Sequence, residues 1–125
     1  MKILVVDDSM LDRKLLIRIL VKAEITQEIL QAEDGEQALE VLASHHQDIG
    51  LVLLDWQMPK MSGIELMSGL VKIPILSSIP IIMVTASGSE DNKKLAKSIN
   101  PNLAGYIVKP YKPDELLQAI KPHLK

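Results

Sequence analysis

"ILVVDDS", residues Ile3–Ser9, runs four apolar residues straight into two adjacent carboxylates. Four branched side chains without a polar partner fit a strand covered on both faces. Asp7 and Asp8 then stand at its carboxyl end, where like charges repel and burial is costly. At a separation of about 5 Å and an effective dielectric of about 20, the repulsion is roughly 3 kcal/mol. A proton or a bound cation must offset it. Further apolar runs of strand length occur at Ile29–Leu30, Leu51–Leu54, Ile79–Val84 and Tyr106–Val108. The strongest of them repeat the pattern: they end in Asp55, Thr85 and Lys109.

Between these runs lie segments with helical spacing. They carry Leu11, Leu15 and Ile19 with Leu16 and Leu20, then Ala38, Leu39 and Leu42, then Ile64, Met67 and Leu70, then Leu95, Ala96 and Ile99, and finally Leu116, Leu117 and Ile120. Strand and helix alternate five times. A parallel neighbour is reached only through a crossover, so the pattern predicts an α/β fold with a five-stranded parallel sheet and five helices on its two faces. Asp8 or Ser9 can cap the first helix, Gly35 opens the second, Ser62-Gly63 the third and Ser87-Gly88-Ser89 the fourth, and Pro113 sits in the first turn of the fifth. Pro122 lacks an amide donor and restricts Lys121, so the last helix is expected to end or kink near Ile120. "SINPNLAG", Ser98–Gly105, reads as a loop.

Composition narrows the function. A chain of 125 residues fits one domain, 1–125. No apolar stretch approaches the length of a bilayer span and no secretory leader pattern opens the chain, so a cytoplasmic protein is expected, with no membrane partner. The absence of cysteine excludes disulfides and thiolate metal sites. A net charge of −2 and only three aromatic residues, Trp56, Tyr106 and Tyr111, leave neither a basic footprint nor a stacking platform for direct nucleic-acid binding.

In an open parallel sheet the carboxyl ends of the strands share one edge, which brings Asp7, Asp8, Asp55, Thr85 and Lys109 around a single crevice. Adjacent side chains on a strand diverge, so Asp7 and Asp8 converge only where the chain is already turning. Three acidic oxygen donors without His or Cys nearby specify a hard ion, Mg²⁺ before Zn²⁺. Mg²⁺ takes one or two carboxylates plus phosphate oxygens, which leaves Asp55 free to face a phosphoryl group. An ammonium from Lys109 and a hydroxyl from Thr85 complete a cradle for dispersed phosphoryl charge. A carboxylate can itself be the nucleophile, giving an acyl phosphate.

With "VVDDS", "LLDWQMP", "VTASGS" and "GYIVKP" in this order, the chain resembles the response-regulator receiver domains of two-component signalling over nearly its whole length. Proteins of this kind are among the examples from which the crevice rule was drawn, so the two readings overlap. The resemblance implies a flavodoxin-like doubly wound sheet of strand order 2-1-3-4-5. It implies a phosphorylation-activated switch in which Asp55 accepts a phosphoryl group from a histidine kinase or phosphotransfer protein. Asp8 would bind Mg²⁺ directly, Asp7 through water, and Asp55 and the backbone carbonyl of Gln57 would complete the ligands. Thr85 and Lys109 would bind phosphoryl oxygens, Tyr106 would swing inward, and the Lys109–Pro110 bond would be cis. The output would go to a downstream protein or a fused domain. Such a protein catalyses only its own phosphorylation and slow dephosphorylation, whose rate Gln57 can tune. Two departures touch the output surface: Thr85 to Lys109 is a residue or two longer than in the chemotaxis regulator, and Pro122 interrupts the last helix.

Singly, each residue has a plainer role. Asp7-Asp8 can cap a helix, Asp55 can precede a turn, and Tyr106 can be a half-buried strand aromatic. His45-His46 diverge by about 100° on a helix and read as solvated rather than as a metal pair. "GSEDNKK" reads as an exposed face. Two other functions use the same residues. A haloacid-dehalogenase-type phosphohydrolase also uses an Asp nucleophile and Mg²⁺, but its D-x-D arrangement ends the first strand and a cap domain would not fit here. A receiver-like interaction module that is never phosphorylated tends to lack one of the acid, Thr or Lys positions, and all are present.

Overall fold

The computed structural model describes residues 1–124. It contains β1 (Lys2–Val6), α1 (Met10–Lys22), β2 (Glu28–Ala32), α2 (Gly35–His45), β3 (Ile49–Leu54), α3 (Gly63–Leu70), α4 (Pro74–Ser77), β4 (Ile81–Thr85), α5 (Glu90–Ile99), β5 (Gly105–Val108) and α6 (Pro113–Ile120). All strand pairs are parallel and the order is β2-β1-β3-β4-β5. Strand alternation divides the core in two. Leu4, Val6, Val52, Leu54, Ile81 and Met83 face α2 to α5, while Ile3, Val5, Leu51, Leu53, Ile82 and Val84 face α1 and α6. Both sets are almost fully buried, which is why these strands read as unbroken apolar runs.

The predicted fold and its strand order stand, with local differences. The short α4 is additional: Pro74 sits at its first turn, and four residues are too few to show helical periodicity. β4 starts at Ile81 rather than Ile79, because Pro80 has no amide to give the ladder, although its carbonyl accepts from Val52 N at 2.9 Å. α5 continues through Ile99, so the loop before β5 is confined to residues 100–104 and turns on Asn100, whose Oδ1 and carbonyl accept from Asn102 and Leu103. α6 ends at Ile120, as the proline rule requires, and passes into a 3-10 turn at Lys121–His123. Ser9, Asp34, Ser62 and Ser89 cap α1, α2, α3 and α5 by accepting from backbone amides three residues on.

Candidate functional site

Register decides which polar residues meet. Val6 lies opposite Leu54, and the Asp55 amide donates to the Val6 carbonyl at 2.9 Å, so Asp7 and Asp55 leave their strands side by side. On the far edge, the Lys109 amide donates to the Thr85 carbonyl at 2.8 Å. Continuing the pleat one residue past each strand puts Asp7, Asp55 and Lys109 on the side of α1 and α6. Their side chains converge there: Lys109 Nζ donates to Asp7 Oδ2 at 2.6 Å and approaches Asp55 Oδ2 at 3.5 Å. Strand β1 stops at Val6, so the chain is already turning at Asp7 and Asp8, and oxygens of Asp7, Asp8 and Asp55 lie within 4.8 Å of one another.

Asp7 and Asp55 are buried and Asp8 is exposed. The Ser9 amide donates to Asp7 Oδ1 at 2.9 Å and the Trp56 amide to Asp55 Oδ1 at 2.7 Å, so each buried carboxylate keeps one oxygen fixed by the following loop. Burial raises the pKa of Asp7 above its ordinary value, and the Lys109 and Ser9 hydrogen bonds only partly reverse this. Burial alone would weaken protonation of Lys109, but hydrogen bonds to Asp12 and Asp7 and the charge of Asp55 push its pKa well up. Lys109 is therefore a fixed cation. It is not enough to neutralise its surroundings, since it faces three carboxylates, Asp7, Asp12 and Asp55, and Asp8 lies beside two of them; the excess negative charge together with an all-oxygen donor set fits a hard divalent cation. Among the described residues no other group of three or more acidic, His or Cys side chains is placed to hold a metal. His45 and His46 are half-buried rather than solvated.

Two members of the site were not anticipated. Asp12, in the first turn of α1, accepts from Lys109 Nζ at 2.8 Å. Its position on the α1 side that faces the sheet edge was the available signal, but a lone acid near a helix start reads as favouring the helix dipole. Arg13 donates from its guanidinium to the Asp7 carbonyl at 2.6 Å and to Gln31 Oε1 at 3.0 Å, tying the acidic turn to β2.

Thr85 is buried, and its hydroxyl accepts from the Ser87 amide at 3.2 Å instead of bonding the acids. Tyr106 is half-buried and its hydroxyl donates to the Ser87 carbonyl. Ser87 thus links the two residues. The cap of α5 is Ser89, which leaves Ser87 free for this role. Burial, and after it the charge of Asp55, holds the Tyr106 phenol above its usual pKa. Gln57 is exposed in the loop after Asp55. The Lys109–Pro110 bond is cis.

The sequence pattern of the response regulator receiver domain matches residues 3–121. The chain belongs to this family. Receiver domains are signalling proteins rather than conventional enzymes. The chain is 40% identical over 123 residues to the phosphate regulon transcriptional regulatory protein PhoB of Pseudomonas aeruginosa, covering 98% of this chain and 51% of that one, so it spans about half of that relative's length. It is 32% identical to the chemotaxis protein CheY1 of Helicobacter pylori, covering 97% and 94% of the two chains. Among solved structures, chemotaxis protein CheY4 of Vibrio cholerae superimposes with a TM-score of 0.84 at 29% identity, covering 98% of both chains. The Mn²⁺-bound response regulator Rcp1 gives a TM-score of 0.78 at 26% identity, over 96% of this receiver and 88% of that chain. No helix among the described residues is long and apolar enough to cross a membrane.

Proposed function

We propose that this receiver domain is a phosphorylation switch acting in the cytoplasm, with Asp55 as the phosphoryl acceptor. An Asp55 carboxylate oxygen attacks the phosphorus of a phosphohistidine on a kinase or phosphotransfer protein. The new O–P bond forms as the P–N bond breaks, and the imidazole leaves with the electron pair. Asp7, Asp8, Asp55 and the backbone carbonyl of Gln57 would hold Mg²⁺, which when bound offsets the charge of the phosphoryl group. Lys109 supplies the cation that this chain itself contributes. The Thr85 hydroxyl, which at rest accepts from the Ser87 amide, turns to donate to a phosphoryl oxygen, and the move loosens the Ser87 segment and with it the anchor of Tyr106. The resting conformation is thereby one member of a pair, and phosphorylation shifts the balance between them. Output passes to a downstream protein or to a fused domain, as the greater length of the PhoB relative suggests. The acyl phosphate is lost by slow self-hydrolysis, with Gln57 near enough in sequence to tune the rate.

The observation that carries this reading is the approach of Lys109, from the edge strand β5, to Asp55 beside a crowded group of acids. Trp56 provides the test because it follows Asp55 and gives it an amide hydrogen bond. With Mg²⁺ present, beryllofluoride is expected to change Trp56 fluorescence saturably, and Asp55→Asn is expected to abolish the response. Fluorescence indifferent to both additions would favour an interaction module that is never phosphorylated.

A further inference from the structure

The Lys109 ammonium is not centred on Asp55. It lies 2.6 Å from Asp7 and 2.8 Å from Asp12, but 3.5 Å from Asp55, at the limit of a hydrogen bond. An ammonium has three hydrogens to donate, and the short contacts to Asp7 and Asp12 take two of them and keep Nζ off Asp55. A phosphoryl group on Asp55 can draw Nζ close only if one of these nearer contacts lengthens. Asp7 is ill suited to this, because it is buried and fixed by the Ser9 amide. Asp12 is suited. Its side chain is 38% exposed and it borders an open cleft of about 540 Å³ lined also by Leu15, Arg18, Ala86 and Tyr111. Water can therefore take over its solvation once the ammonium moves away.

We propose that Asp12 is a positioning residue that holds Lys109 away from the accepting oxygen of Asp55 in the resting receiver and so restrains phosphorylation. The inference rests on Asp55 being the acceptor. Asp12 touches neither the phosphoryl group nor the reacting atoms; it acts through where it keeps the ammonium. Neutralising it leaves Lys109 with Asp7 and Asp55 alone, and the cation moves toward the site of developing phosphoryl charge.

The test uses acetyl phosphate with Mg²⁺. The Asp55 O–P bond forms, the P–O bond to the acetyl group breaks, and acetate leaves with the electron pair. At limiting donor concentration, Asp12→Asn is expected to be phosphorylated about fivefold faster than the unsubstituted protein, the effect of one released hydrogen bond to a charge. Its apparent dissociation constant for beryllofluoride, read through Trp56, should fall by a similar factor. Asp12→Glu, which restores the anion, should return both values toward the starting ones. An acid that merely supports the start of α1 would move the melting temperature and leave rate and affinity alone. Unchanged or slower phosphorylation of Asp12→Asn, or equal behaviour of the Asn and Glu variants, overturns the proposal. Failure of the unsubstituted protein to accept phosphate at Asp55 overturns the acceptor assignment instead, and with it this inference.

Discussion

At the scale of single residues, the site is a contest among carboxylates for too little positive charge. Asp7 shows the outcome most clearly, because burial raises its pKa above 3.8 despite the adjacent ammonium. A carboxyl group whose pKa is higher in the fold than in the unfolded chain holds a proton there that the unfolded chain has already lost. Its contribution to stability is therefore greatest below the ordinary value and declines as pH rises toward the folded value. In metal-free protein, Asp7→Asn is expected to gain stability relative to the unsubstituted chain as pH rises from about 4 toward neutrality. Urea unfolding in chelator across that interval measures it; a difference between the two proteins that does not vary with pH would contradict the account. That Asp7, Asp8, Asp55 and Lys109 meet was legible because each stands at the end of an apolar run. Asp12 and Arg13 were not, since a charge near a helix start is more readily read as serving or decorating that helix than as a partner of a strand end.

At the scale of elements, short loops hold the acids in place. Gly63 opens α3 against the end of β3, where its amide donates to the Trp56 carbonyl at 2.8 Å and a Cβ would lie 1.9 Å from the Asp55 carbonyl oxygen. Only a residue without a side chain allows this approach. Ser62 and Glu65 form a reciprocal capping box that fixes the same helix start. Gly63→Ala must push α3 off the acceptor loop, and it is expected to cost about 2–3 kcal/mol of stability and to slow phosphorylation by acetyl phosphate. Chemical denaturation and labelling rates measure the two effects; a variant as stable and as reactive as the original would show that the loop does not depend on the contact. Sequence marked Ser62-Gly63 as a helix start through capping chemistry. It could not show the contact with Asp55, which depends on the path of the loop between them. The same limit hid α4 and set α5 two residues short, because a single turn has no period and a turn-rich sequence can still complete a helix.

At the scale of the whole molecule, the alternating apolar strands settle the architecture before any loop is considered. Ile3 and Val5 face one helical layer while Leu4 and Val6 face the other, and the same division runs through β3 and β4. A sheet buried on both faces can place polar residues only at its ends, so the crevice at the carboxyl edge follows from the core. That is why the fold and most of the site could be read together. The link from Thr85 through Ser87 to Tyr106 could not, since it needs two hydrogen bonds that no spacing encodes. The central claim is that the carboxylate of Asp55 receives the phosphoryl group with the help of a divalent cation. The most direct measurement treats the protein with acetyl phosphate, reduces any acyl phosphate with borohydride and maps the converted residue by peptide mass spectrometry. Conversion of residue 55 to homoserine in Mg²⁺, and none in chelator, is the predicted result; conversion at another acid, or none under either condition, would contradict it.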